Sequence, residues 1–262
     1  MFLSSRSRLI LVVLSIIGTN FFAPVSSAQS KVEQLLNKLD ENYYYPQKKG
    51  LVRISSQLQW EQENIGSKKI FAIKKPDFIF EGEFDGKTFR KRIKSYGIKK
   101  NTSEEEVIES IKFLNNYLDA FFPKTLREKF VHYKGIIGFR GASEIRLLLK
   151  KTEPTDDFNE YELFIDKKKW RISKIIVRQN QDPKKVEGKF FYAQKDEKWV
   201  VAETLSSFEI NGHEFIEKTK YKYRAIESLW LVHEVNQTVK QDGNMILSYR
   251  FNLNDHKLRS KQ

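Results

Sequence analysis

The chain has 262 residues, and its 47 lysines and arginines against 34 aspartates and glutamates give a formal net charge of +13 at pH 7. It has no cysteine, which excludes disulfide bonds, lipid attachment through a thiol, cysteine nucleophiles and zinc–thiolate sites. Its 20 phenylalanines supply apolar material for a substantial core, and its positive charge favours anionic partners such as lipid headgroups, acidic glycans or nucleic acid.

The N-terminus has the pattern of a secretory signal peptide. Arg6 and Arg8 precede the apolar run 9–17, and small residues form a cleavage pattern that ends at Ala28. We expect residues 1–28 to be removed; an uncleaved anchor or a core helix is the alternative. The mature chain then carries 13 − 2 = +11, because two arginines are lost. We expect a periplasmic protein without a lipid anchor, and export argues against nucleic acid as a partner.

The first helix of the mature chain is predicted over residues 31–43. Pro46 prevents it from continuing, and Gly50 is the hinge into the first strand. Apolar residues recur at helical spacing on one side of this helix: Val32, Leu35, Leu36 and Leu39.

Three tyrosines fill the joint between this helix and the first strand. Tyr43 continues the apolar stripe of the helix, so its ring should pack inward. Tyr44 and Tyr45 occupy the corner, where a ring covers apolar surface while its hydroxyl faces water. They are structural corner residues or, if a ligand cavity opens at this end, cavity-rim residues.

Period-two alternation begins at Leu51 and predicts a strand with Ile54, Leu58 and Trp60 on its dry face. A second strand is predicted over 68–75, a third from Phe78, and a fourth over 87–96. The dipeptide at 85–86, Asp-Gly, is a strong hairpin signal between the last two. These segments form an antiparallel meander.

A helical segment interrupts the strands. Ser103 and Glu106 have capping-box spacing at its start, and Pro123 marks a break before a short helix that ends near Phe130. The glycine-rich residues 132–142 are predicted as a loop or an irregular strand. The apolar stripe of the first helical part contains Val107, Ile108, Ile111, Leu114 and Leu118.

The rest of the chain returns to period two, with turn signals at Asn211-Gly212 and Asp242-Gly243. We expect an α+β fold: a strongly curved antiparallel sheet of about ten strands, forming an unclosed barrel, with helices on its concave face. Residues 29–262 are predicted to form a single domain. The predicted strands of this half are 145–149, 161–165, 170–179, 188–194, 198–210, 213–224, 230–240 and 244–253.

The order of these elements resembles the periplasmic lipoprotein-carrier superfamily of LolA, LolB and the outer-membrane lipoprotein-sorting proteins. The similarity covers most of the mature chain. In the first half it lies in LVRISSQLQWEQ (51–62) and IFAIKKPDFIFEGEFDGKTF (70–89). In the second half it lies in ELFIDKKKWRISKII (162–176) and KYKYRAIESLWLVHEV (220–235).

The resemblance implies a LolA-like half-barrel with a lid of helices over an apolar cavity for acyl chains, and no catalysis or cofactor. The implied function is binding and transport of lipid or lipoprotein acyl chains, in outer-membrane lipoprotein sorting or envelope lipid trafficking. An anionic membrane surface and a membrane-embedded loading or accepting partner are further candidate partners. The arginine that links strand to lid in that superfamily is assigned to no residue of this chain.

Periodicity by itself identifies bulky residues that point inward and could line a lipid cavity. A packed core has the same sequence pattern, so a dry core is the alternative. The cavity candidates are Trp60, Phe71, Ile73, Phe80, Phe89, Ile111, Leu114 and Leu118.

Two strands carry basic residues on their outer faces. If the strands lie close together, these residues would form one wall that binds anionic membranes. The alternative is a solvated face that discourages edge pairing. One set is Arg90, Arg92 and Lys94; the other is Lys218, Lys220, Lys222 and Arg224.

No sequence motif predicts an enzyme. The four histidines have no metal-ligand spacing, and no serine-hydrolase, zinc-protease or phosphate-loop motif occurs. We expect neither catalysis nor a bound metal. The alternative to a carrier is a non-enzymatic envelope scaffold, or a protein that binds anionic membrane surfaces, with a packed core and no ligand.

Overall fold

The structure, a computed structural model, describes residues 27–65, 71–74, 78–96, 103–152 and 158–261. The predicted signal peptide lies outside this part of the chain except for its last two residues. No helix among the described residues is long and apolar enough to cross a membrane. That residues 29–262 form a single domain stays a prediction.

Four α-helices and thirteen β-strands occur among the described residues. The helices are α1 (Ser27–Asp40), α2 (Glu104–Leu114), α3 (Leu118–Phe121) and α4 (Leu126–Lys129). The strands of the first half are β1 (Leu51–Asn64), β2 (Phe71–Lys74), β3 (Phe78–Phe84), β4 (Phe89–Ser95), β5 (Tyr133–Arg140) and β6 (Glu144–Lys151). Those of the second half are β7 (Phe158–Asp166), β8 (Arg171–Gln179), β9 (Lys185–Lys195), β10 (Lys198–Ile210), β11 (His213–Ile226), β12 (Leu229–Gln241) and β13 (Asn244–Ser260).

The α+β prediction is confirmed: antiparallel strands dominate, and a few helices accompany them. The strands outnumber the expected ten or so. The chain divides into two compact units. The first contains Tyr45–Pro123 and Glu217–Gln262, and the second contains the preceding helix α1 and Lys124–Ile216.

In the first unit the strand order is β4-β3-β1-β13-β12-β11, and β2 also pairs with β1. The register sets apolar residues opposite each other on one face, because Leu58 pairs with Leu253 and Trp60 pairs with Phe251. Ile54, Leu58 and Trp60 are buried, as the alternation predicted. β4 is the edge strand of this unit.

In the second unit the strand order is β10-β9-β8-β7-β6-β5, and β5 is the edge strand. Helix α1 packs on the buried face at β5. A side chain at Gly135 would place its Cβ 2.9 Å from Val32 Cγ2, so glycine permits this close approach. The predicted apolar stripe of α1 is buried, although the helix begins at Ser27 and ends at Asp40.

The prediction of a loop or an irregular strand for the glycine-rich segment 132–142 is wrong. Strand β5 lies in this segment and pairs with β6 along its whole length with no register shift. The glycines resemble turn signals in the sequence, but Gly135 serves the packing of α1 against the sheet. The turn predictions hold elsewhere, since Asn211, Gly212, Asp242 and Gly243 all have positive φ.

The end of α1 is fixed by Tyr43, within the second unit. The Tyr43 hydroxyl accepts a hydrogen bond from the Ile172 N–H at 2.7 Å and lies 3.1 Å from the Tyr192 hydroxyl, which donates to the Ile172 carbonyl at 2.6 Å. Burial raises the pKa of Tyr43 to about 12. The joint is completed by backbone hydrogen bonds of Trp199 with Asn42 and Tyr44.

Tyr44 and Tyr45 are both buried, with 6% and 5% of their surfaces exposed. Their role as cavity-rim residues stays a prediction. Pro46 begins a short 3₁₀ helix, and Gly50, with a φ of 98°, leads directly into β1 as expected.

Tyr43→Phe should lower the free energy of unfolding by about 1–3 kcal/mol, because the Ile172 N–H loses its acceptor inside the protein. Chemical denaturation measures the change. Tyr96→Phe is the control, because Tyr96 is 55% exposed and its change should have little effect. Equal stability of the two variants would contradict a structural role for the Tyr43 hydroxyl.

Candidate functional site

In the first unit, aromatic side chains of the strands and helices pack against each other in one layer, which we call the aromatic layer. Trp60 stacks on Phe113 with ring centroids 4.9 Å apart, and Phe113 lies 4.9 Å from Tyr249. Tyr117 lies 4.5 Å from Phe251. Two further pairs are Phe80 with Phe121 at 5.3 Å and Phe89 with Phe122 at 5.2 Å.

On the helical side of the layer, the positions of the rings depend on a change from α-helix to 3₁₀ helix. Ser103 caps α2 by accepting the Glu106 N–H at 3.1 Å, as the spacing predicted. A 3₁₀ turn (Asn115–Tyr117) then separates α2 from α3. Because a 3₁₀ turn has three residues per turn instead of 3.6, the side chains that follow it are rotated relative to an unbroken α-helix.

The predicted stripe on this helix is partly wrong. Ile108 is 45% exposed, whereas Phe113 is buried. The stacking of Phe113 on Trp60 fixes the rotation of α2 about its axis, and this rotation turns Ile108 to solvent. Val107 and Leu114 are buried as expected.

The structure brings most of the predicted cavity residues together. Trp60, Phe80 and Phe89 belong to the aromatic layer, and Trp60 and Phe80 are buried. Leu114 is fully buried, and Ile111 and Leu118 are half-buried on the same helical segment. Phe71 and Ile73 lie in β2, but their side chains lie outside the described part of the structure. That these residues line a lipid cavity stays a prediction.

Sequence reasoning missed several members of the layer. Two signals were available: the dipeptide Phe121-Phe122 after the helix, and Tyr249 and Phe251 on the dry face of the last strand. The contact of these rings with helix residues that lie more than a hundred positions away is set by tertiary structure alone.

A buried ion pair joins β4 to α3. Lys91 Nζ lies 2.5 Å from Asp119 Oδ1, and the two side chains are 6% and 9% exposed. Lys91 lies between Phe89 and Ile93 on the inner side of its strand, so a charge at an inward position was the available signal. The pair links the sheet to the helical segment. Sequence analysis assigned no residue to such a link.

A second polar cluster lies inside the first unit and consists of Glu217, Gln237 and Tyr117. The Tyr117 hydroxyl donates to Gln237 Oε1 at 2.5 Å, and Gln237 Nε2 donates to Glu217 Oε2 at 3.4 Å. Glu217 is 2% exposed, and its Oε1 has no hydrogen-bond partner among the described residues. Burial raises the pKa of Glu217 well above its usual value, which favours the neutral carboxyl. The cluster therefore joins the helical segment to β11 and β12 through buried hydrogen bonds.

The two basic sets do not form one wall, which corrects the prediction. Strands β3, β1, β13 and β12 separate β4 from β11, a distance of roughly 24 Å at about 4.8 Å per strand. All seven residues are exposed. On β4, however, Arg92 and Lys94 both contact Glu81, at 2.5 and 3.0 Å. On β11, Lys222 pairs with Glu234 at 2.7 Å. Each set stays a separate candidate for anion binding.

Titratable groups give no sign of a metal centre in the described part of the chain. No group of three or more His, Cys, Asp or Glu residues there could hold a metal ion. Burial lowers the pKa of His233 and His256, which favours their neutral form.

No family model and no curated protein matches the chain. Among solved structures, it is similar to a LolA superfamily protein from Nitrosomonas europaea, with 8% identity and a TM-score of 0.37 over 91% of this chain and 96% of the other. It is also similar to an outer membrane lipoprotein-sorting protein domain from Vibrio parahaemolyticus, with 11% identity and a TM-score of 0.38 over 89% of this chain and 94% of the other. The Pseudomonas aeruginosa MucA/MucB complex shows a weaker similarity, with 8% identity and a TM-score of 0.23 over 88% of this chain and 100% of the other.

The first of these structures belongs to the superfamily that the sequence resembles, and the second is a lipoprotein-sorting domain. TM-scores below 0.5 carry no functional inference, so function has to be judged from the residues of this chain.

Asp119→Ala should lower the free energy of unfolding by about 3–5 kcal/mol, because it removes the carboxylate that pairs with the buried Lys91 ammonium. The double variant Lys91→Met/Asp119→Leu should regain most of that loss, since no charge remains buried. Chemical denaturation of the wild type, Lys91→Met, Asp119→Leu and the double variant measures the coupling. Additive losses would show that the two groups do not interact.

Glu217→Gln should flatten the pH dependence of stability. The folded pKa of Glu217 lies above its unfolded value, so its stabilising effect is complete below the unfolded pKa of about 4.5. The effect is lost as the pH rises towards the folded pKa, because the unfolded chain gains free energy by ionising. Glutamine cannot ionise, so the variant should gain melting temperature relative to the wild type as the pH rises above about 5.

The control for this experiment is Glu209→Gln, a change at an exposed position on β10. It should follow the wild-type pH profile. Parallel profiles of Glu217→Gln and wild type would contradict a raised pKa at position 217.

Proposed function

We propose that the protein binds acyl chains of lipids or lipoproteins reversibly in the aromatic layer and transports them through the periplasm. The observation that carries the proposal is the construction of this layer: a wide apolar face of β1, β3, β4 and β13 is covered by short helices. Each methylene that leaves water contributes about 0.8 kcal/mol, so an acyl chain placed between the helices and the sheet would be held strongly.

The helical segment is suited to move. Helix α2 has 11 residues and α3 has four, and a 3₁₀ turn interrupts them. Helices this short are marginal on their own, so their position depends on packing against the sheet. A ligand that replaces the ring contacts would shift them, and their return would release it.

The polar contacts beneath the helices would restore the closed arrangement. The Lys91–Asp119 pair and the Tyr117–Gln237 hydrogen bond can be made only when the segment lies on the sheet. Since hydrogen bonds and ion pairs depend strongly on geometry, they would define one closed position.

The sequence supports the location of this activity. The signal-peptide pattern of residues 1–28 directs the chain out of the cytoplasm, and the absence of cysteine excludes anchoring through a thiol. A carrier of this kind needs a membrane partner that supplies or accepts the acyl chain, and the exposed basic sets on β4 and β11 are candidate contacts with anionic lipid.

A non-enzymatic envelope scaffold is the second candidate. Ring centroids 4.5–5.3 Å apart lie within the normal range for packed aromatic pairs, which favours a filled core. In that case the helical segment stays on the sheet and no ligand enters.

A long-chain fatty acid carrying bromine on its chain should decide between the two, because bromine quenches a tryptophan that it touches. Trp60 is one of four tryptophans, so a bound chain should remove roughly a quarter of the emission. Titration of the purified protein by tryptophan fluorescence measures the effect.

Trp60→Phe is the matched control, because phenylalanine keeps a ring against Phe113 while the quenched fluorophore is removed. This variant should lose the bromine-dependent change, and the unbrominated fatty acid should leave wild-type emission unquenched. Absence of saturable quenching, together with no lipid extractable from protein purified from the periplasm, would favour the scaffold.

A further inference from the structure

Strand β5 is an edge strand with an unusual surface. It pairs with β6 through the whole of Tyr133–Arg140, with no bulge. Among the described residues, no strand pairs with its other side. Exposed edges of this length normally carry a proline, a bulge or a central charge that prevents pairing with other chains. Residues 135–139 (GIIGF) contain none of these.

The hydrogen bonds at its start show which backbone groups point outward. The Thr152 N–H donates to the His132 carbonyl, so even-numbered residues point towards β6. The Tyr133 N–H instead donates to the Phe130 carbonyl. Because successive residues of a strand point their N–H and C=O groups to alternate sides, those of residues 135, 137 and 139 face away from β6. The edge therefore presents a row of three N–H and three C=O groups.

Apolar side chains flank this row on both faces. Ile136 is 70% exposed and lies on the same face as Lys134 and Arg140. Phe139 is 72% exposed and lies on the face of Gly135, beyond the part that α1 covers. They are the two most exposed large apolar side chains of the described residues.

Gly138 adds an independent observation. A Cβ at this position would meet only the Arg146 carbonyl oxygen, at 3.9 Å, and φ at Gly138 is not positive. Among the described residues, neither close packing nor a positive φ requires glycine here. Glycine inside a strand often marks the close approach of another backbone.

We propose that the β5 edge binds an extended segment of a partner protein by strand addition, with apolar side chains over Ile136 and Phe139 and an acidic residue opposite Lys134. The charge of the edge selects this partner. Lys134 is exposed, and its cross-strand neighbour on β6 is Lys150, which pairs with Glu160 on β7 at 3.2 Å. No acidic residue therefore lies opposite Lys134 on the neighbouring strand. At the other end, the cross-strand neighbour of Arg140 is Glu144, so that end has a weaker preference for an acidic residue of the partner.

A second copy of the chain fits this edge poorly. Antiparallel pairing that uses residues 135, 137 and 139 of both copies sets Ile137 opposite Ile137 of the second copy, and therefore Lys134 opposite Arg140. The register shifted towards Tyr133 is disfavoured, because the Tyr133 N–H donates to Phe130 and its carbonyl accepts from Gln29. Like charges at directly opposite positions destabilise a strand pair. The same geometry favours a different chain whose strand carries acidic residues at these positions.

The test uses a short fluorescein-labelled peptide of alternating valine and threonine with a glutamate at each end, and fluorescence anisotropy with the full protein. The wild type should bind it, and the same peptide with lysine at each end should bind at least about fivefold more weakly, from two cross-strand charge pairs. Ile137→Pro should abolish binding, because it removes an N–H that faces away from β6 and is not part of the β5–β6 ladder.

Two further measurements keep the result interpretable if Ile137→Pro fails to fold. The glutamate peptide with alternate backbone nitrogens methylated should not bind the wild type, because it cannot form the ladder. Phe139→Ser should weaken binding, and Phe191→Ser, at a 49% exposed phenylalanine on β9, should not. No binding of the glutamate peptide, equal binding of both peptides, or a wild-type dimer that Ile137→Pro dissociates would overturn the proposal.

Discussion

The stacking of Phe113 on Trp60 is the contact on which the first unit depends. It fixes the rotation of α2, and that rotation determines which helical residues are buried and which are exposed. Ile108 points to solvent for this reason, and Tyr117 reaches Phe251 after the 3₁₀ turn. An α-helix without that turn would have placed the residues after Leu114 differently, so one ring pair and one change of helix type together arrange the whole layer.

Polar groups inside this layer have a cost that apolar side chains would avoid. A buried ion pair is often no more stable than apolar residues of the same size, and a buried carboxyl with one unpaired oxygen is unfavourable. Lys91, Asp119 and Glu217 therefore add specificity more than stability: each interaction exists in one arrangement of helix and strand. This is consistent with a segment that leaves the sheet and returns to a defined position, and a scaffold would have less need of it.

On the outer surface, several basic side chains are paired with acidic ones, so the net charge of the chain does not identify a free basic patch. Arg92 and Lys94 form a conspicuous basic run in the sequence, yet Glu81 on the neighbouring strand contacts both. Similarly, Glu162 in the second unit pairs with Arg178 and Arg146 on the strands that flank it. The more distinctive surface is the β5 edge, where Ile136 and Phe139 are exposed. The N–H and C=O groups of residues 135, 137 and 139 pair with no strand among the described residues.

The sequence by itself determined most of the strands and turns and the faces that those strands bury. Period-two alternation placed Ile54, Leu58 and Trp60 on the dry side, and the turn residues at 211–212 and 242–243 took the positive φ that hairpins need, because both effects act between near neighbours in the chain. Only the tertiary structure decided the partners of each face. The burial of Phe113 in place of Ile108, the pairing of Lys91 with Asp119, the separation of the two basic sets and the extended conformation of 133–140 all depend on which strand or helix lies alongside. That choice is made by packing between residues far apart in sequence, which local patterns do not encode.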